Sequence, residues 1–218
     1  MLAGKVRHCC GWILLGWLAW GGTLSLAQNS YFPSQAGTRW YYDNGEVQQL
    51  RPIADPALWL PSLAMLPIPE SEQAQLKALD YSLEDTVLSS DVLAFHSSGV
   101  WLLGHSSGGE VLRYSQPMQL YGTPPLQPGQ VWQSSAALLD GERSLTQVQW
   151  QSEVLAVRAV TTEAGRFNAL VLRQASYSEG LTQQRDLYFV PSLGVVRWQE
   201  ADGRVVMLER IEFMEGGH

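Results

Sequence analysis

The chain is 218 residues long, with 45% hydrophobic and 16% charged residues and a formal net charge of −7. So acidic a chain argues against nucleic acid or anionic lipid headgroups as electrostatic partners, and leaves apolar ligands and protein partners open. The two cysteines, Cys9 and Cys10, both lie near the N-terminus, so the rest of the chain has neither disulfides nor thiolate chemistry to draw on.

Residues 1–27 read as a signal peptide. Lys5 and Arg7 give the positive start, residues 11–26 form an apolar run, and Ser25-Leu26-Ala27 offers small residues at a cleavage site after Ala27. An uncleaved membrane anchor is the rival reading, but the run is short for a span of about 20 residues. The cysteines precede the apolar run, whereas a lipid-modified cysteine would follow it. Cleavage would remove Lys5 and Arg7 but no acidic residue, taking the charge from −7 to −9 and leaving Lys77 as the one lysine. Residues 28–218 then form a single exported domain, periplasmic or extracellular, large enough to bury a core without cross-links. Nothing after Ala27 has the length and hydrophobicity of a transmembrane helix.

The first expected hairpin carries the aromatic run Trp40-Tyr41-Tyr42, with Asp43-Asn44-Gly45 as its turn into residues 46–51. Five prolines then interrupt residues 52–69, which still carry Leu58, Trp59, Leu60 and Leu63. Prolines at that density suit a loop or sheet edge. Residues 71–79 read as one short helix capped by Ser71, with Glu72 in its first turn. Strand-like runs follow at 92–96, 100–103, 110–114, 131–139, 144–150 and 154–161, a spacing typical of all-β folds. The chain closes on four further strands, at 166–177, 181–190, 194–200 and 204–213. Glu179-Gly180, Pro191-Ser192 and Asp202-Gly203 provide their turns. No strand–helix–strand alternation is visible across the second half, which argues against a parallel α/β sheet. The fold class is all-β and mainly antiparallel, a curved sheet or incomplete barrel with one short helix.

There is also an internal echo. Pro33, Gly37 and Trp40 recur as Pro125, Gly129 and Trp132, each set leading into a strand. Glycine permits a sharp turn and tryptophan anchors the strand that follows, so the echo predicts two similar entries into the sheet.

Tyr31-Phe32-Pro33 with Gly37, Trp40 and Tyr42 resembles the start of bacterial exported proteins of unassigned function. Ala164-Gly165 with Phe167 and Ala169, then Tyr188-Phe189 with Pro191 and Gly194-Val195-Val196-Arg197, resembles their C-terminal half. The group is similar in outline to DUF3108-type domains and to the half-barrels of periplasmic lipoprotein carriers. The resemblance implies a curved antiparallel sheet and transfers no catalytic residue.

The sharpest chemical motif is Gly104-His105-Ser106-Ser107-Gly108 behind the apolar run 100–103, which fits the nucleophile elbow of α/β-hydrolases. On that alternative Ser106 is the nucleophile and residues 83–95 form the preceding helix. Against it, Pro117 leaves little room for the helix that must follow. The one histidine downstream is His218, and His96-Ser97-Ser98-Gly99 repeats the local pattern nine residues earlier, which suits two hairpin turns. His96 and His105 would stand well over 10 Å apart along one strand at roughly 3.3 Å per residue, so no metal site is expected. Acidic pairs such as Glu84-Asp85 read as solvated turn charges. No cofactor is implied.

The tryptophans remain. Core packing accounts for most of them, since aromatics fill pleated surfaces. Trp40, Trp59, Trp101 and Trp132 are nonetheless candidates for lining the concave face around an apolar ligand, with residues 52–69 as its cover and Trp59 as a lid or partner-facing residue. The preferred reading is a non-enzymatic binding or assembly module of the bacterial envelope, holding a lipid or other apolar molecule or docking an envelope protein. The serine hydrolase and a purely structural interaction domain are the alternatives.

Overall fold

Period-two alternation runs through nearly the whole chain and produces twelve strands. The computed structural model describes residues 31–69 and 72–213; the expected signal peptide at 1–27, Ser71 and His218 lie outside the described residues. The strands are β1 (Arg39–Tyr42), β2 (Glu46–Pro52), β3 (Gln75–Leu83), β4 (Thr86–His96), β5 (Gly99–Ser107) and β6 (Glu110–Tyr121). They continue as β7 (Val131–Asp140), β8 (Arg143–Thr162), β9 (Gly165–Ser178), β10 (Leu181–Val190), β11 (Gly194–Glu200) and β12 (Val205–Glu212). Each pairs antiparallel with the next, and β12 returns to β1, closing a barrel. The all-β antiparallel class is as expected, and closure removes the sheet edges that an open curved sheet would expose.

The closure is not uniform. β6 and β7 are 12 and 10 residues long, yet they pair in register only from Leu112 to Tyr114 against Leu138 to Asp140. Further along, side chains replace the ladder: Gln116 donates to the Ser135 carbonyl, Ser134 Oγ accepts from the Gln119 amide, and Ser115 Oγ accepts from the Ala137 amide. Pro117, with no N–H to offer, sits in this seam, where a missing donor costs least. β6 therefore runs on past the expected strand end at residue 114 and through the proline.

Two expected elements change type. Residues 75–83 are strand β3, not the latter part of a helix over 71–79. Leu76 and Leu79 stand three apart, as on a helix, but they face opposite sides of the sheet, one packing outside the barrel and one inside. The helical turns lie instead in the proline-rich stretch, a 3-10 turn Pro56–Trp59 running into α1 (Leu60–Leu63). Asp55 caps the first by accepting from the Ala57 amide at 3.1 Å, and Pro56 and Pro61 occupy early positions where a proline is preorganised. Runs 144–150 and 154–161 fuse into β8, which absorbs a bulge between Val154 and Ala156.

The internal echo is structural. Gly37 and Gly129 both adopt φ of 90°. Gly37 donates to the Leu50 carbonyl at 2.6 Å and Gly129 to that of Val154 at 2.7 Å. In return Leu50 and Val154 donate to the carbonyls of Thr38 and Gln130. The same turn thus feeds β1 and β7 into the sheet.

Because the strands form a meander, hairpins β1–β2, β3–β4, β5–β6, β7–β8, β9–β10 and β11–β12 all turn at one end, here called the mouth. The opposite end, the floor, receives the N-terminal segment. Phe32 is buried there against Tyr31, Tyr121 and Phe189, with ring centroids 5.1, 5.4 and 5.8 Å away. The main core fills the barrel interior. A second, smaller core lies on the outer face of β4 and β5, where Trp59 and Leu66 cover Val92, Ala94, Trp101 and Leu103.

Candidate functional site

The interior is apolar near the floor and polar towards the mouth. Trp40, Leu50, Phe95 and Phe189 surround the deepest space. Above it opens a lumen of about 470 Å3 whose polar wall includes Glu46, Tyr81, Asp91, His105, Arg185 and Glu200. These residues alternate along their strands with outward-facing ones, as period two requires.

Asp91 organises one wall. Its carboxylate accepts from the Tyr81 hydroxyl at 2.8 Å and from His105 Nδ1 at 2.8 Å. The hydrogen bond to Asp91 raises the His105 pKa above its ordinary value, outweighing the opposing effect of burial. Burial holds the Tyr81 phenol well above its usual range, and the nearby Asp91 charge pushes the same way. Burial also pushes Tyr114 and Tyr121, on the same chamber, up to about 12. At neutral pH the lumen tyrosines are therefore protonated and able to donate.

A histidine whose pKa is higher when folded contributes stability that is complete below the unfolded value of about 6.5 and is lost as pH rises through the folded value. The His105 side chain is 34% exposed, so solvent screening limits the effect to about 1 kcal/mol. Between about pH 6 and pH 8.5 the thermal midpoint should fall more in the wild-type protein than in Asp91→Asn. Equal slopes would show that the pair adds nothing.

The predicted ligand tryptophans part company. Trp40 does line the inner space, donating from Nε1 to the Leu193 carbonyl at 2.6 Å. Trp59 and Trp101 meet each other on the outer face, 3% and 4% exposed, so residues 52–69 cover the outside of the barrel rather than its concave side. That corrects Trp59 as a lid: it is a buried anchor. Trp132 is half-buried, donates to the Leu120 carbonyl at 3.2 Å and packs over Gly122. The lumen uses Trp150 and Trp198 in their place. Tyr81, Asp91 and Arg185 escaped the sequence reading, although an aspartate inside the run Val87 to Phe95 was a usable signal of a polar interior.

The elbow reading of Ser106 fails on geometry. Ser106 lies within β5, paired with Ser90 and Val111, and a strand follows it in place of a helix. The glycines Gly108 and Gly109, with φ of 60° and 86°, close a hairpin. His105 and Ser106 are consecutive in a strand and so face opposite sides, which removes the nearest base. Residues 83–95, the proposed preceding helix, are the β3–β4 hairpin, whose turn places Glu84 and Asp85 at φ of 47° and 65°. His96 bonds to Ser98 and Glu72 and shares no partner with His105.

No family model and no curated protein matches the chain, so the resemblance to DUF3108-type domains remains one of short motifs. Among solved structures, a candidate lipoprotein from Parabacteroides distasonis is 14% identical, with a TM-score of 0.48 over 84% of this chain and 98% of its own. A candidate exported protein from Bacteroides fragilis, described as having a YmcC-like fold, is 15% identical, with a TM-score of 0.47 over 84% of this chain and 99% of its own.

Proposed function

We propose that the chain is an exported, non-enzymatic binding module of the bacterial envelope, and that its barrel lumen holds one amphipathic molecule. The observation that carries this reading is the polarity gradient inside the barrel, from the aromatic floor at Trp40 and Phe189 to the polar mouth at Arg185 and Glu200. A volume of about 470 Å3 lies within the usual range for small-molecule sites, roughly 300–1,000 Å3. Apolar surface buried on the floor supplies affinity, at about 25 cal/mol per Å2. Polar groups at the mouth keep the other end of the ligand hydrated or hydrogen-bonded.

The test uses protein from residue 28 onward. An organic extract of the purified protein is expected to contain an amphiphile, and the extracted protein should enhance the fluorescence of the neutral dye N-phenyl-1-naphthylamine at a single saturable site. Absence of both would remove the lumen as a binding site and favour a role in docking an envelope protein.

A further inference from the structure

The polar half of the lumen is not evenly provided for. Asp91 already accepts two hydrogen bonds, and Glu46 takes one from the Gln48 side-chain amide at 2.7 Å. Arg185 is half-buried, and among the described residues its guanidinium makes neither a hydrogen bond nor an ion pair. Glu200 is its register partner across β10 and β11, but the two stand outside ion-pair distance. Arg185 lines the lumen together with Tyr81, Leu187 and Trp198, so its donors open onto the same chamber. A planar fork of five donors with no acceptor, set above an apolar floor, is what a carboxylate completes.

Resting on the function proposed above, we infer that the lumen is selective for a single-chain amphiphile with a carboxylate head group seated on Arg185. The carboxylates Glu46, Asp91 and Glu200 oppose any anion in the lumen, which makes an ammonium head group the competitor to test and limits the anion to a single charge. They share the lumen with the ligand, so a head group bearing two negative charges meets more repulsion than one bearing a single charge. Size gives the chain. A lumen of about 470 Å3 is of small-molecule size, which suits one medium-length chain.

Displacement of the neutral dye tests the assignment with dodecanoate, methyl dodecanoate and dodecylammonium, all below their aggregation limits. Dodecanoate should displace dye from the wild-type protein at about tenfold lower concentration than the ester, the ratio expected for hydrogen bonds to a charged group. Arg185→Gln should lose that preference, read as the ratio of acid to ester displacement within the variant so that any change in dye affinity cancels, and Arg185→Lys should retain part of it. The wild-type comparison needs no variant, so a folding defect cannot decide the outcome. Equal displacement by acid and ester, or stronger displacement by the ammonium, overturns the carboxylate assignment and leaves the amphiphile-binding reading intact. Failure of the wild-type protein to bind dye at all overturns both.

Discussion

Gly104→Ala should lower the thermal midpoint by about 6–12 °C, the shift for a loss of about 3 kcal/mol in a domain of this size. Gly104 is buried in β5, at a place where the sheet meets a helical flap made of the 3-10 turn Pro56–Trp59 and α1. A Cβ there would press on the Leu112 carbonyl oxygen and lie 2.5 Å from the Trp59 ring. Neither neighbour yields easily. The carbonyl belongs to β6, and Trp59, at 3% exposure, is packed in the outer core with Trp101, Leu103 and Leu66. Overpacking usually costs about 1–3 kcal/mol, and a clash with fixed backbone belongs at the upper end. Adding Trp59→Leu should return only part of the loss, because the carbonyl contact persists. An unchanged midpoint in Gly104→Ala would mean that the flap does not seat on β5.

That flap also marks where sequence reading reaches its limit. The C-terminal meander was legible almost to the residue, because Glu179-Gly180 and Asp202-Gly203 announce their turns and the intervening runs alternate cleanly. Residues 75–83 were not. Leu76 and Leu79 fit a helical spacing as well as a strand with both faces covered, and the outer cover over Leu76 comes from the preceding segment, whose folding back onto the sheet leaves no local signature. The same ambiguity governs the tryptophans. Their size announced burial, but Trp59 and Trp101 bury outside the barrel while Trp150 and Trp198 face its lumen, a distinction decided by register around a closed sheet. The candidate site was harder still. Tyr81 on β3, Asp91 on β4, His105 on β5 and Arg185 on β10 are brought together by closure, and sequence separation gives no hint that residue 185 shares a chamber with residue 81. His105 was visible within its motif and was weighed against His96, but nothing along the chain pairs it with Asp91 across the ladder.

Phe189→Ala should cost about 3–5 kcal/mol, the range for removing a buried aromatic ring. Phe189 is 1% exposed, and its ring stands 5.1 Å from that of Tyr121, 5.8 Å from Phe32 and 6.1 Å from Tyr31. It is the hub of the aromatic floor, so its loss affects two quantities that separate cleanly. Stability falls because three rings lose a packing partner and the N-terminal segment loses its seat. The lumen deepens because the space at Trp40 and Leu50, which Phe189 helps to enclose, joins the void left by its ring. A longer apolar chain should then fit. In the variant, tetradecanoate should gain on dodecanoate as a dye competitor relative to the wild-type protein, even as the urea midpoint drops. Arg185 anchors the opposite end of the ligand and is unchanged, so the preference for acid over ester should survive. A variant that is destabilised without any change in chain-length preference would place the bound chain elsewhere than on this floor.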